Sequence, residues 1–210
     1  MTDGWSKAFD DAAAGYDEQS RGGWSANEVA AELLAPLGLR PARVLDLGAG
    51  TGQTTEALAR LLPGATFTLV DPSQGMLDIA RTKLPDATIV RSDAAEFLRS
   101  TRDSWELVAT IGCLELVPDM FEVLRLSASR LVPGGHLVAS HEPVHGTSVQ
   151  GQARSELSGG RVVQRYTVEE VERRAASYGL VRVADRVVEA FQRGDSGEGV
   201  VYELVVWSVG

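Results

Sequence analysis

A strand–turn–helix pattern at residues 44–53 constrains this chain more than any other feature. The stretch reads V-L-D-L-G-A-G-T-G-Q, an apolar run that ends in three glycines at alternate positions, and a helical pattern follows. Glycine permits a positive φ and has no Cβ, so a ligand can lie against bare backbone. The N-terminus of the helix beyond the turn offers unpaired N–H groups and a partial positive charge. The pattern therefore predicts a site for an anionic or polar cofactor at this turn.

The spacing of the glycines bears on which cofactor fits. Dinucleotide-binding turns follow G-x-G-x-x-G, whose third glycine packs the helix against the strand. Here the glycines stand at 48, 50 and 52, and Gln53 comes next. Asp46 ends the strand, where its carboxylate can accept hydrogen bonds from the turn or from a cationic ligand amine. The same carboxylate would repel a pyrophosphate, which argues against a nicotinamide dinucleotide.

Length, charge and cysteine content indicate the number of domains, the class of substrate and the cellular compartment. At 210 residues the chain is expected to form one domain. Its net charge of −9 disfavours nucleic acid as a substrate, because duplex binders usually carry a basic face. Cys113 is the single cysteine, so a reducing cytoplasm is expected. The sequence shows no signal peptide and no apolar run of the ~18 residues that a membrane span needs.

The order of the predicted elements indicates an α/β fold. Strands alternate with helices, which implies a parallel sheet covered on both faces. Two final strands joined by a polar loop read as a hairpin, so at least one of them must be antiparallel to the rest. In such sheets ligands bind beyond the carboxyl ends of the strands. The predicted strands are 42–47, 65–70, 87–91, 105–111, 136–140, 180–191 and 200–208.

Aspartates follow two of these strands. Asp71 comes after the second strand, about twenty residues beyond the glycine turn, where a carboxylate either accepts both ribose hydroxyls of an adenosine or caps the next helix. Asp93 follows the third strand, where the residue pattern again allows a cap of the next helix. With the glycine turn upstream, the ribose interpretation is favoured for Asp71.

Several stretches, in the same order along the chain, resemble the motifs of the class I S-adenosylmethionine (SAM)-dependent methyltransferases of small-molecule type. The opening around Tyr16-Asp17 resembles the A-x-x-Y-D of that family. The helix entry at Tyr166-Thr167, with the closing hairpin, resembles the methyltransferase-like 27 subgroup. The core stretches are D-L-G-A-G-T-G at 46–52, V-D-P-S-Q-G-M-L at 70–77, S-D-A at 92–94, I-G-C-L-E-L-V-P-D at 111–119 and L-V-P-G-G-H-L at 131–137.

The resemblance implies a three-layer αβα Rossmann-like sandwich with a seven-stranded, mostly parallel sheet and a C-terminal antiparallel hairpin strand. It implies SAM as the cofactor, with S-adenosylhomocysteine as its product. Asp71 would accept the ribose hydroxyls, Met76 would lie against the adenine, and Asp93 would accept from the adenine amino group. The implied cofactor-binding residues are Tyr16, Asp46, Gly48, Ala49, Gly50, Gly52, Asp71, Pro72, Met76, Ser92, Asp93, Ala94, Ile111 and Gly112.

Candidate catalytic residues follow the fourth and fifth strands. Glu115 faces either the substrate or solvent at a loop edge, and Leu116 replaces the histidine usual in the family. The run H-E-P-V-H at 141–145 fits the zinc motif H-E-x-x-H, but that motif needs a helix and Pro143 interrupts it, so a zinc protease is not expected. His141 and His145 either serve as a general base or metal ligand beside the substrate or belong to a surface loop, as does Glu142.

Within the single domain, 1–40 is expected to be a helical cap over the cofactor and 41–142 the SAM-binding core. Residues 143–166 are expected to form an irregular substrate-side loop, followed by a C-terminal helix and hairpin at 167–210. The arginines of that loop either hold an acidic small molecule or are solvated. They are Arg154, Arg161 and Arg165.

The leading hypothesis is SAM-dependent methyl transfer to a small metabolite. This reaction is an in-line displacement, in which the protein chiefly aligns the nucleophile with the methyl group and excludes water. A base helps when the nucleophile is a hydroxyl or a protonated amine. Two alternatives remain open: a protein that uses SAM for a non-methylating reaction such as a cyclisation, and a nucleoside-binding module without chemistry. Neither the acceptor atom nor the choice between monomer and homodimer follows from the sequence.

Overall fold

A computed structural model describes residues 3–20, 26–144, 152–157, 161–193 and 198–210. The helices are α1 (Asp3–Ser20), α2 (Ala26–Leu34), α3 (Gln53–Leu61), α4 (Gln74–Lys83), α5 (Ala94–Ser100), α6 (Met120–Arg130) and α7 (Val168–Ser177). The strands are β1 (Arg43–Leu47), β2 (Thr66–Asp71), β3 (Thr88–Arg91), β4 (Trp105–Thr110), β5 (Leu131–His141), β6 (Gln152–Leu157), β7 (Arg161–Tyr166), β8 (Leu180–Arg193) and β9 (Glu198–Val209). Two 3-10 turns lie at Ala35–Leu37 and Leu114–Leu116.

The larger sheet has seven strands in the order β3-β2-β1-β4-β5-β9-β8. Strands β1 to β5 run parallel to their neighbours, whereas β9 runs antiparallel to both β5 and β8. Because β1 lies between β2 and β4, the chain reverses its direction of winding there, and the carboxyl ends of these three strands border one crevice. The expected α/β sandwich, with a mostly parallel sheet and a C-terminal antiparallel strand, is confirmed.

Helices cover both faces of this sheet because its central strands are apolar on both sides. Leu45 and Leu47 of β1 belong to a cluster that contains residues of α5, α6 and α7. The neighbouring Val44 belongs to a second cluster with residues of α2 and α3. Alternate residues of one strand thus enter opposite layers, which is the pattern of a buried parallel strand.

The fifth strand is longer than the sequence indicates. It pairs Leu131 with Trp105 and then His136 with Leu107, and the register shifts in between. The P-G-G sequence that reads as a turn before this strand is a bulge within it, and Gly134 takes a φ of 74° there. A bulge places extra residues on one strand, so a local turn signal is compatible with continued pairing.

The described parts of the segment 143–166 are not an irregular loop, so that prediction was wrong. Strands β6 and β7 form an antiparallel pair from Gln152–Tyr166 to Leu157–Arg161. An isolated bridge joins Pro143 to Tyr166 and brings this pair to the end of β5. The polar composition concealed β7 because Val163 is its one fully buried residue, which packs on Trp5 and Leu116.

The N-terminal helix packs on the core near the start of α4. A Cβ added at Gly75 would come within 3.2 Å of the Ala13 side chain and 3.3 Å of the Asp10 carbonyl oxygen. The expected helical cap thus touches the core through a small residue. Among the described residues, no helix is both long and apolar enough to cross a membrane.

Candidate functional site

An open cavity of about 520 Å³ lies at the carboxyl ends of β1, β2 and β4. Residues from α1, the glycine turn, the end of β2 and the segment after β4 form its wall. Of the residues implied as cofactor-binding, it is lined by Tyr16, Gly48, Ala49, Gly50, Asp71, Met76, Ile111 and Gly112.

The three glycines of the turn have different surroundings. Gly48 has a φ of 70°, and a Cβ there would meet the Cys113 Sγ at 2.5 Å. Gly50 has a φ of 54°, and a Cβ there would meet no atom within 4 Å. Gly52 lies outside the cavity wall, and a Cβ there would meet Leu84 Cδ1 at 2.8 Å. The first glycine thus permits close approach of two loops, the second leaves backbone open to the cavity, and the third packs α3 near α4.

Asp71 connects β2 to the glycine turn. Its Oδ2 accepts from the Gly50 N–H at 3.0 Å and its Oδ1 accepts from the Ser73 N–H at 2.8 Å. Ser73, not Asp71, is the N-cap of α4, because the Ser73 hydroxyl accepts from the Met76 N–H. Burial raises the pKa of Asp71 above its ordinary value. The carboxylate lines the cavity and keeps lone pairs that can accept ligand hydroxyls.

Asp46, one of the residues implied as cofactor-binding, does not line the cavity. Its Oδ2 accepts from the Thr55 hydroxyl at 2.6 Å, and the residue is absent from the cavity wall. Burial raises the pKa of Asp46 to about 7. Thr55 is in the first turn of α3, so this buried contact fixes the helix against the strand that precedes the turn.

The remaining implied cofactor residues also lie outside the cavity wall. Asp93 caps α5 and its carboxylate accepts from the Ala95 N–H at 2.9 Å, as the capping interpretation required. Three of these residues follow β3, which lies on the far side of β2 from the turn, whereas Pro72 directly follows β2. The set comprises Pro72, Ser92, Asp93 and Ala94.

Several lining residues are not among those implied as cofactor-binding. Phe9 and Asn27 belong to α1 and α2 and reach the cavity only through tertiary packing, so the sequence gives no local signal for them, whereas the others lie within the core motifs or directly after the glycine turn. Cys113 is buried and also borders the cavity beside Gly48. The set comprises Phe9, Asn27, Thr51, Gln53, Thr54, Cys113 and Leu116.

Gln53 joins both N-terminal helices to the turn. Its Nε2 donates to Asp17 at 2.9 Å and to the Ser20 hydroxyl at 2.7 Å. Its Oε1 accepts from Asn27 Nδ2 at 2.9 Å. Gln53 stands where the dinucleotide pattern would have its third glycine. Its hydrogen bonds join α1, α2 and α3 at this point.

Aspartates of α1 hold this helix over the cavity. The Asp17 Oδ1 accepts from the Thr51 hydroxyl at 2.5 Å, and its Oδ2 accepts from Lys83 Nζ at 2.9 Å. About two helical turns before Asp17, the Asp10 Oδ1 accepts from the Ser73 hydroxyl at 2.6 Å and from the Gly75 N–H at 2.8 Å. Tyr16 lies between these contacts and lines the cavity.

Glu115 is buried rather than solvated at a loop edge. Only 3% of it is exposed, and its Oε1 accepts a hydrogen bond from the Tyr202 hydroxyl of β9. Burial, opposed by the Tyr202 hydrogen bond, raises the pKa of Glu115 to about 7. Glu115 thus joins the segment after β4 to the antiparallel strand.

His141 is also buried, and it does not line the cavity. Its Nε2 lies 2.9 Å from Glu203 Oε2, and Glu203 Oε1 in turn accepts from Arg182 at 2.9 Å. This places His141 in a cluster with charged side chains between β5, β9 and β8, outside the cavity wall. His145 lies outside the described residues. Among those described, no group of three His, Cys, Asp or Glu side chains is arranged to hold a metal ion.

Two of the three arginines predicted for an acidic substrate have partners in the fold. The Arg165 Nε lies 2.7 Å from Glu142 Oε1, and each side chain is 13% exposed. The Arg161 guanidinium stacks over the Trp5 ring, 5.1 Å from its centroid. The Arg154 side chain lies outside the described part of the chain.

A sheet whose winding reverses at β1, with a glycine turn and an acidic strand end at its edge, agrees with the Rossmann-like fold that the sequence resemblance implies. Residues 45–137, a little under half of the chain, match the family model described as a methyltransferase domain. This part of the chain is therefore similar to a methyltransferase domain. The match ends before the segment that carries β6 and β7.

Curated relatives agree with this family. The chain is 40% identical over 110 residues to trans-aconitate 2-methyltransferase from Delftia acidovorans, which covers 51% of this chain and 41% of the relative. It is 36% identical over 110 residues to ubiquinone biosynthesis O-methyltransferase from Xanthomonas campestris, which covers 50% of this chain and 45% of the relative. The chain therefore spans less than half the length of these relatives.

Solved structures share the fold over nearly the whole chain. The 1,6-didemethyltoxoflavin-N1-methyltransferase from Burkholderia thailandensis superposes with a TM-score of 0.75 at 21% identity, covering 98% of this chain and 87% of that one. The N-methyltransferase NodS from Bradyrhizobium japonicum superposes with a TM-score of 0.72 at 18% identity, covering 99% of both chains. At these identities the likeness shows the fold alone.

Proposed function

We propose that this protein binds SAM in the described cavity and transfers its methyl group to a small-molecule metabolite. The observation that carries the proposal is the joint position of Gly50 and Asp71 in one cavity wall, with bare backbone beside a buried carboxylate. The two structural relatives named above were solved with S-adenosylhomocysteine, and the curated relatives are named as methyltransferases of small molecules.

The residues present suit this cofactor. Open backbone at Gly50 leaves room for the part of the ligand that crosses the turn, and the Asp71 oxygens suit ribose hydroxyls. Met76 supplies a polarizable wall that suits a flat purine ring. When bound, SAM supplies a methyl group activated by its sulfonium, while α1 excludes water from the cavity and the walls align the acceptor.

Calorimetry with SAM, S-adenosylhomocysteine and NAD tests the cofactor assignment. The first two ligands are expected to bind and NAD is not, because the glycine spacing and the buried acidic groups disfavour a pyrophosphate. Tighter binding of NAD would refute the proposal. Binding of SAM without transfer of labelled methyl to any metabolite fraction would instead favour the non-methylating alternatives.

Asp71→Ala tests the ribose contact directly. We expect SAM affinity to fall by ~10-fold or more, since one charged hydrogen-bond acceptor contributes on the order of 1.5–3 kcal/mol. Asp119→Ala is the matched control, because Asp119 only caps α6, with its Oδ1 accepting from the Glu122 N–H at 3.0 Å. Equal affinities in both variants would show that Asp71 merely connects β2 to the turn.

The compartment and partners follow from the sequence expectations. A cytoplasmic location is proposed because the single cysteine, Cys113, is buried and has no second cysteine to pair with. A small-molecule partner is proposed rather than nucleic acid because the net charge is −9. Division into a helical cap at 1–40, a SAM-binding core at 41–142 and C-terminal substrate-side elements also remains our proposal.

A further inference from the structure

Phe9 of α1 lines the cavity, although the cofactor motifs give it no role. Its side chain is only partly buried in the structure, so part of the ring remains available to a ligand. It lies edge-on to Tyr16, with 6.1 Å between the ring centroids, and Tyr16 lines the same cavity. Helix α1 therefore presents two aromatic rings to whatever fills the cavity.

The residue next to Phe9 is anchored to the start of α4. The Asp10 Oδ1 accepts from the Ser73 hydroxyl at 2.6 Å. Ser73 lies between Asp71 and Met76, the two lining residues proposed for the ribose and the purine. This contact holds Phe9 at the same end of the cavity, beside the adenosine part of the cofactor.

Trp5 lies behind Phe9, about one helical turn earlier in α1, and is not part of the cavity wall. The two rings stack, with centroids 5.9 Å apart and an interplanar angle of 27°. Only 9% of Trp5 is exposed. Because paired aromatic rings prefer particular geometries, a fixed Trp5 limits the orientations open to Phe9. Trp5 thus sets the position of Phe9 without touching the ligand.

Three contacts fix Trp5 to β7. Its Nε1–H donates to the Val162 carbonyl oxygen at 2.9 Å. The Arg161 guanidinium lies over its ring, 5.1 Å from the centroid, and Val163 packs in the same apolar cluster. A buried indole N–H without an acceptor would be costly, so the hydrogen bond also selects the orientation of the ring. The support for Phe9 therefore comes from β7, which lies outside the residues that match the family model.

We infer that Phe9 packs against the adenosine part of the cofactor, and that Trp5 is a positioning residue that couples Phe9 to β7. None of the described residues of β6 and β7 is in the cavity wall, so this strand pair contributes to cofactor affinity from a distance. Because coupling between two sites is reciprocal, bound cofactor must stabilise β7 in turn. This inference rests on the proposed function and adds a residue-level basis for cofactor affinity.

Calorimetry of the full chain with S-adenosylhomocysteine tests the contact of Phe9. We expect Phe9→Ala to weaken binding by ~10-fold, because a well-placed aromatic contact is lost. Phe97→Ala is the control, since Phe97 packs on Trp105 outside the cavity wall, and it should bind within about twofold of wild type. Equal affinity of the two variants overturns the inference alone. Absence of binding to wild type of both SAM and S-adenosylhomocysteine overturns the proposed function as well.

Trp5→Phe keeps a ring for stacking but removes the N–H that binds Val162. We expect affinity to fall by ~3-fold, because the hydrogen bond that orients the support is lost. Trp105→Phe is the matched control, because Trp105 also packs on a phenyl ring, that of Phe97, and lies under a guanidinium, that of Arg43, at the start of β4. It should lower the melting temperature but leave the affinity at the wild-type value. Equal affinities in the two variants overturn the positioning role, whatever their melting temperatures.

A double-mutant cycle separates action through Phe9 from an independent effect of Trp5. If Trp5 acts through Phe9, Trp5→Phe should weaken binding by ~3-fold in the wild-type background but by less than ~1.5-fold when Phe9 is already alanine. Such a difference would not arise from a general loss of stability, since both backgrounds would then respond alike. Equal effects in the two backgrounds overturn the coupling.

Hydrogen exchange of the backbone amides tests the reciprocal effect without turnover. S-adenosylhomocysteine should slow exchange in β7 (Arg161–Tyr166) by ~3-fold in wild type, and by clearly less in Trp5→Phe. The amides of α7 (Val168–Ser177) are the reference and should respond equally in the two proteins, because no residue of α7 lines the cavity. Exchange in β7 that does not change on binding to wild type overturns the inference.

Discussion

At the scale of single residues, the glycine turn owes its sequence to two different spatial limits. Gly48 must be glycine because the Cys113 side chain fills the place of its Cβ, and Gly50 has the open side that a ligand would use. Both have positive φ, so an alanine at either site would be strained. A substitution at Gly48 should therefore mainly reduce the stability of the fold, whereas one at Gly50 should mainly reduce ligand affinity.

Gly48→Ala and Gly50→Ala should therefore fail in different ways. Gly50→Ala is expected to lower the free energy of unfolding by ~1–2 kcal/mol from backbone strain alone, but to weaken SAM binding strongly. Gly48→Ala should cost clearly more stability, because its Cβ would meet Cys113 Sγ at 2.5 Å. Urea unfolding and calorimetry measure the two effects. Gly48→Ala as stable as Gly50→Ala would contradict the packing explanation.

The buried Asp46 carboxyl predicts a pH-dependent stability. Its pKa is 3.8 ordinarily and about 7 in the fold, so between these values the unfolded chain releases a proton that the folded chain keeps. The free energy of unfolding must then fall as pH rises through this window, by ~4 kcal/mol at most. Asp46→Asn should remove this contribution while its amide oxygen still accepts from Thr55. Urea titrations at several pH values measure the free energy of unfolding, and the exposed Asp103→Asn is the control. If this free energy changed with pH equally in Asp46→Asn and in wild type, the pKa assignment would be refuted.

At the scale of elements, α1 is held by polar contacts as well as by the apolar packing of Trp5. Asp17 connects it to the glycine turn through Thr51 and Gln53 and to α4 through Lys83. Burial acts to raise the pKa of Asp17, but the hydrogen bonds outweigh it and lower that pKa, so the carboxylate is ionised at neutral pH. These contacts of Asp17 are therefore expected to restrain α1 over the cavity.

Asp17→Asn should therefore speed release of the bound cofactor. Loss of the charged contacts to Thr51 and Lys83 is expected to raise the dissociation rate of S-adenosylhomocysteine by ~10-fold, with little change in global stability. Stopped-flow displacement measures the rate. Asp11→Asn is the matched control, since Asp11 pairs only with Lys7 on the exposed side of the same helix. An unchanged rate in Asp17→Asn would show that α1 does not restrain the ligand.

Strands with many apolar residues could be predicted from the sequence, whereas strands with few apolar residues could not. The strand that carries Val44 and Leu45 has apolar residues on both faces, so its position was clear. Strand β7 buries only Val163 fully, and the polar residues of 152–166 read as a loop in the sequence. The pattern of hydrophobicity identifies a strand only when enough of its surface is buried.

At the scale of the whole molecule, the cofactor motifs predicted the cavity better than the roles of its acidic residues. Asp46 and Asp71 both end strands beside the turn, but only Asp71 lines the cavity. Side-chain direction alternates along a strand, and the choice of face depends on which helix packs there. His141 shows the same limit of prediction from sequence. It belongs to a run that resembles a metal-binding motif, but in the fold its ring contacts the buried Glu203.

The cluster of His141, Glu203 and Arg182 ties the antiparallel strands to the parallel sheet, and its role can be tested against catalysis. Glu203→Gln should lower the free energy of unfolding by ~3 kcal/mol, because it removes the negative charge that faces His141 and Arg182 and leaves only one acceptor oxygen for the two. SAM affinity and the pH dependence of kcat/KM should stay at the wild-type values, since the cluster lies outside the cavity wall. Glu172→Gln is the control and should cost under ~1 kcal/mol, because its bridge to Arg182 is partly solvated. A changed pH dependence of kcat/KM with unchanged stability in Glu203→Gln would return His141 to the catalytic residues.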